Sequence, residues 1–226
     1  MEPQIISSSD TAAFQSEAAF EIRLPARGGV RKSATLRLPT DVEWAGRQRA
    51  IKTVQHRLGP GQTQTETEGV EAADAALLRR LLVDEDGEYL DAKGPAGTRD
   101  PFDEDEAAEL IHRLTKAEVD ADPAHSGDSI TVSLSVLGGV ITAHELRVPT
   151  LKQLRKHRKG SFSFVDLRRG RMQMKVNVDE FCRFYDELSA TTQGYEGRVP
   201  APHKMAVVSE VLAVLDEIEG EDDPKR

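Results

Sequence analysis

The sequence predicts an α+β fold made of two tandem repeats, each a β-hairpin followed by a small helical bundle. Three observations carry this. Residues 19–40 and 129–150 align without a gap at a constant offset of 110, with identity at Leu24/Leu134, Gly28/Gly138, Gly29/Gly139, Val30/Val140, Leu36/Leu146, Arg37/Arg147, Pro39/Pro149 and Thr40/Thr150. In both stretches alternating apolar residues flank the Gly-Gly pair, the pattern of two strands joined by a tight turn. Both stretches end in Pro-Thr, with Glu43 or Gln153 three residues after the Thr, which is the signature of a capping box opening a helix.

Taken in order, residues 1–18 are polar and rich in Ser and Ala, and predict a flexible N-terminal arm. The first repeat module runs over 19–120. Phe20, Ile22 and Leu24 form one strand face, Gly28-Gly29 supplies the positive φ of the turn, and Pro39 ends the return strand. A helix starts at Thr40. The stretch at 61–68 alternates but is too polar for a buried strand, and reads as a loop. Val70, Ala73, Leu77, Leu78, Leu81 and Leu82 recur at helical spacing, a turn follows at 84–87, and Asp103 caps a further helix carrying Ala107, Leu110, Ile111 and Leu114. Residues 121–128 have the Pro, Gly and small polar content of a linker.

The second module, 129–219, repeats the plan. Ile130, Val132, Leu134 and Val136 precede Gly138-Gly139, and a helix opens at Thr150. A strand pair is expected at 162–165 and 172–176. Its weak echo in the first module, Gly61 to Gln64 against Gly170 to Gln173, lies at an offset of 109. Val178, Phe181, Cys182, Tyr185 and Leu188 form one helical face, a turn follows at 193–195, and Pro200 and Pro202 introduce a last helix bearing Met205, Val208, Val211, Leu212 and Leu215. Residues 220–226 form a charged tail.

The formal charge of −9 argues against general nucleic-acid or anionic-membrane binding. No apolar run reaches the ~18 residues a membrane span needs, and the N-terminus lacks the basic and apolar regions of a secretory signal. The single Cys182 permits no internal disulfide, which fits a reducing compartment. A cytoplasmic protein is expected.

Little in the chain points to chemistry. Residues 84–91 resemble a calcium loop only loosely, because the Gly falls fourth and position twelve is Pro95. The six histidines show no metal-ligand spacing, Cys182 reads as a buried structural thiol, and no nucleophile elbow or phosphate loop is present. No catalytic, metal or cofactor site is expected, and the chain reads as a non-enzyme. Charge is unevenly placed. Residues 66–122 hold eighteen Asp/Glu against six Lys/Arg, while residues 145–175 hold ten Lys/Arg against two Asp/Glu. The densest cations, Lys152, Arg155, Lys156, Arg158 and Lys159, are the candidate partner-binding residues. Against a protein partner stand a solvated helix face, pairing with the acidic half, and phosphate contact.

The hairpin with its glycine turn, running into Leu36-Arg37-Leu38-Pro39-Thr40 and Leu146-Arg147-Val148-Pro149-Thr150 with a capped helix after each, resembles tail assembly chaperones of long-tailed bacteriophages. The likeness covers about a quarter of each module, and the tandem form departs from the family's usual single module. It implies a non-enzymatic protein of the host-cell cytoplasm that binds the long helical tape-measure protein, or another tail protein, before the tube forms. The alternatives are a structural or adaptor protein of the virion tail and a nucleic-acid-binding regulator using the basic segment.

Overall fold

The computed structural model describes residues 13–25, 32–59, 62–83, 102–167 and 171–221. Among these the protein is mixed α+β, with six α-helices and twelve strands. In order they are β1 (Phe14–Gln15), β2 (Ala19–Arg23), β3 (Ser33–Arg37), α1 (Asp41–Ala50), β4 (Lys52–Gly59), β5 (Gln62–Glu68), α2 (Val70–Leu81) and α3 (Glu104–Thr115). There follow β6 (Ala117–Ser126), β7 (Ser129–Val136), β8 (Ile141–Arg147), α4 (Leu151–Gly160), β9 (Phe162–Asp166), β10 (Arg171–Val176), α5 (Val178–Leu188), β11 (Ser189–Gln193), β12 (Tyr195–Glu196) and α6 (Ala201–Glu221).

Both alternating runs form hairpins with one face inward. In β2–β3, Phe20 lies opposite Leu36 and Ile22 opposite Ala34, and all four are buried. In β7–β8, Ile130 opposes Leu146, Val132 opposes His144 and Leu134 opposes Thr142, all buried. The second turn holds Gly138 and Gly139 at φ 81° and 73°, where a Cβ is strained. Gly28 and Gly29 lie outside the described residues.

Helices α1 and α4 are ten residues each and start 110 residues apart. Thr40 and Thr150 each accept from the backbone N–H three residues on, and Glu43 and Gln153 reach back to the cap N–H. Asp103 and Glu106 make the same reciprocal pair before α3. After α2 and α5 the chain returns to the hairpin at matching places. Leu82 bridges Leu36 and the Val83 N–H donates to Thr35, while Ser189 of β11 opposes Leu146.

Three segments differ from expectation. Residues 62–68, read as a loop, are strand β5. It pairs with β4 along its length and every side chain is exposed. Alternating Thr suits an extended edge strand with no buried face, so polarity was the wrong criterion. Residues 121–128, read as a linker, are the end of β6 and the turn into β7. Register shifts between Val119 and Ala124 absorb Pro123 at the sheet edge. Of residues 1–18, those from 13 on are anchored: Phe14 is buried, and β1 pairs in parallel with β12. The expected turn at 84–87 and the calcium-like loop 84–91 lie outside the described residues, as do residues 222–226 of the expected tail 220–226, whose first two residues instead end α6.

The sheets run β11-β8-β7-β6, β5-β4-β10-β9, β2-β3 and β1-β12. The second of these joins a hairpin from each half of the chain. Its central contact is antiparallel β4–β10, with Arg171 opposite His56, Gln173 opposite Val54 and Met174 opposite Thr53. Buried apolar residues from both halves form one cluster, including Leu36, Leu81, Leu110, Ile130, Leu146 and Phe184. Among the described residues no helix is long and apolar enough to cross a membrane.

Candidate functional site

Helix α4 presents its cations outward because two residues fix its inner face. Leu154 and His157, three apart, are buried. The His157 ring stacks on Phe184 at 4.1 Å between centroids and meets Phe181 edge-on at 5.0 Å. Burial lowers the His157 pKa against the pull of Glu180, 3.5 Å away, so the ring is a neutral packing element. Lys152, Arg155, Lys156, Arg158 and Lys159 are all exposed. Arg158 is drawn onto Asp216 of α6, so intramolecular pairing accounts for one of the five. Leu151 stands among them at 65% exposure.

Beside α4 lies the hairpin β9–β10, with Phe162, Phe164, Val165, Leu167 and Met172 among the exposed large hydrophobics. Phe164 is 54% exposed. Pairing places Phe164 opposite Met174 and Phe162 opposite Val176. Strand alternation therefore puts Phe162, Phe164, Met172, Met174 and Val176 on one face. An apolar sheet face bordered by a cationic helix is the usual anatomy of a protein-binding surface. Sequence reasoning placed these strands but gave them no binding role. The usable signal was the contrast with β5, which carries Thr63, Thr65 and Thr67 where β10 carries Met172, Met174 and Val176.

The chain matches no protein-family model, no curated protein and no solved structure. Its function is therefore argued from the surfaces themselves.

The other polar features are accounted for by packing. A hydrogen-bonded chain runs through the interior of the second half: Thr192–Tyr185 at 3.1 Å, Tyr185–His144 at 2.8 Å, His144–Thr142 at 3.2 Å and Tyr195–His203 at 2.9 Å. Thr142 Oγ1 also lies 3.5 Å from the Tyr195 hydroxyl, and Phe14 stands edge-on to the Tyr195 ring. Burial lowers the pKa of His144 to about 4 and that of His203 to about 3, so both rings are neutral. His203 Nε2 is buried without a hydrogen-bond partner, while the hydroxyls of Thr142, Tyr185, Thr192 and Tyr195 are paired within the core.

A groove of about 820 Å³ separates β2, α3 and the β7–β8 turn. Its charged lining is largely self-neutralised, by Arg23 with Glu21, Arg113 with Glu109 and Lys116 with Glu118. Burial pushes the Cys182 thiol up to about 12, far from a nucleophile's range. Among the described residues no group of three or more His, Cys, Asp or Glu side chains is placed to hold a metal ion.

Proposed function

We propose that this protein is two tandem copies of one hairpin-and-helix module and acts as a non-enzymatic phage assembly protein, a tail assembly chaperone of the cytoplasm. Its client is the tape-measure protein, or another long helical tail protein. The observation that carries this reading is the exposed apolar face of Phe162, Phe164 and Met172 beside the cations of α4. An amphipathic client helix would lay its apolar stripe on that face, and its acidic flank against Lys152, Arg155, Lys156 and Lys159. The module reading is supported by the succession hairpin, capped helix, hairpin, helix in both halves, with α1 and α4 starting 110 residues apart. Holding a long client requires several equivalent contacts, and linked modules raise the effective concentration for each further one.

The test is coexpression with the tape-measure protein encoded in the same genome. Wild-type chain keeps the client in the soluble fraction and co-purifies with it, and Phe164→Ser with Met172→Ser loses both effects while melting normally. Client solubility that is independent of this chain would overturn the proposal. Retention of the protein in purified particles would favour a virion component instead, and salt-sensitive binding of nucleic acid by the α4 cations would favour a regulator.

A further inference from the structure

We infer that the chain assembles head-to-tail with further copies of itself, the outer edge of β9 pairing with the outer edge of β5 of a second molecule. The inference rests on the two-module reading and adds to it a geometric consequence of how the modules are joined.

The joint inside the chain is β4–β10. In the first half β4 directly follows α1, and in the second half β9 directly follows α4. So β9 is the counterpart of β4. Within the hairpins, Val54 opposes Glu66 and Phe164 opposes Met174. The pairing puts Val54, Gln173 and Val165 on one face of the sheet, so the residue matching Val54 is Ser163, and Glu66 matches its partner Lys175. The sequence-based offset of 109 holds on both strands, between 110 for the first residues of α1 and α4 and 108 for those of α2 and α5.

The joint is therefore heterologous: one module contributes its first strand and the other its second. A joint of this kind uses each half once and leaves the complementary halves unused. The sheet order β5-β4-β10-β9 puts those halves, β5 and β9, at its two edges. The contact that holds the two modules together is thus offered again at both ends of the molecule. Carrying the internal register across sets Val165 against Gln62, Phe164 against Thr63, Ser163 against Gln64 and Phe162 against Thr65 of the second copy.

Two features suit this docking. Arg49 of α1 lies 3.8 Å from Asp179 of α5 across the internal joint. The counterparts of these two residues are Lys159 and Glu71, both exposed and again of opposite sign. Neither edge strand contains proline, and β9 pairs with β10 without a register shift. The one shift in the β4–β5 pairing lies at the end beside Gln62, and the edge charges, Glu66, Glu68 and Asp166, lie at the ends of the stretch where a second strand would add.

The experiment uses the unmodified chain. Sedimentation velocity across the micromolar range is combined with amide hydrogen exchange at the lowest and highest concentrations. Species heavier than the monomer should grow with concentration. Exchange at residues 62–68 and 162–166 should slow by about tenfold or more on association, while β4 and β10 stay protected throughout. A chain that stays monomeric, or associates with protection gained elsewhere, overturns the inference while leaving the two-module reading intact. Free exchange in β4 and β10 at every concentration removes the internal joint, and with it both the inference and the module arrangement it rests on.

Discussion

The Arg37 guanidinium holds the Glu43 carboxylate through two hydrogen bonds, of 2.8 and 2.6 Å. At the matching place in the second half Gln153 replaces the carboxylate, and Arg147 donates to the Glu187 backbone carbonyl at 3.0 Å, as Arg37 does to that of Arg80. The same capping box is thus ionic in one half and neutral in the other.

That difference makes the first helix start acid-sensitive. Burial pulls the Glu43 pKa upward, but hydrogen bonds from Arg37 and from the Thr40 backbone and hydroxyl outweigh it and hold the group at about 2. A carboxylate with a depressed folded-state pKa contributes fully above its unfolded value of 4.5 and loses that contribution as pH falls to about 2. Glu43→Gln should lower stability by about 1 kcal/mol at neutral pH. The gap from wild type should close toward pH 2 in urea titrations. Gln153→Ala should show no such pH dependence.

Neutral His144 and His203 give a second acid limb at higher pH. Desolvation depresses both folded-state values, to about 4 and about 3, from 6.5. Protons therefore bind preferentially to the unfolded chain below 6.5, and stability falls as pH drops from there through the folded values. For His144 the full effect is on the order of 3 kcal/mol. Chemical denaturation at pH 7.5 and pH 5 should show the loss, and His203→Gln should reduce the difference between the two conditions. An unchanged difference would assign the limb to other groups.

The Arg47–Asp74 pair ties α1 to α2 almost out of water. Arg47 Nη2 donates to Asp74 Oδ2 at 3.0 Å, Nε donates to Oδ1, and the guanidinium lies 4.6 Å from the Trp44 ring centroid. Asp74→Ala leaves a buried cation without its partner, at a cost of about 3 kcal/mol. Arg47→Met with Asp74→Leu should recover much of that loss. Thermal melts of the single and double variants read both numbers.

Cys182 should resist thiol reagents in the folded protein. Burial first, then the nearby Asp41 carboxylate, push its pKa to about 12, so almost no thiolate exists at neutral pH. Labelling at pH 8 should be slow in buffer and fast in denaturant, and the native rate should follow global unfolding. Rapid native labelling would mean that α5 opens locally.

The hairpins, the capped helices and the inward face of α5 were legible in the sequence because each rests on a local rule. Phe20 and Ile22 alternate, Thr40 and Thr150 have their reciprocal partners, and Phe181, Cys182, Tyr185 and Leu188 recur at helical spacing. What stayed hidden depends on partners far away in the chain. Strand β5 has no buried side chain, so only its backbone pairing with β4 identifies it. Asp120 to Ser126 hold turn-forming residues, yet the β7 edge recruits them. The cations of α4 were legible as a cluster. Their apolar neighbours on β9 and β10 were not legible as a surface, because alternation marks a face without saying whether anything covers it.

Phe14 leaves a consequence for how the chain is made. Ser16 donates to the Glu196 carbonyl across a separation of 180 residues. On the ribosome β1 is made well before β12, the strand on which it docks. Strand β1 must wait unpaired until β12 has been made, and its insertion beside Tyr195 becomes a late seal on the fold.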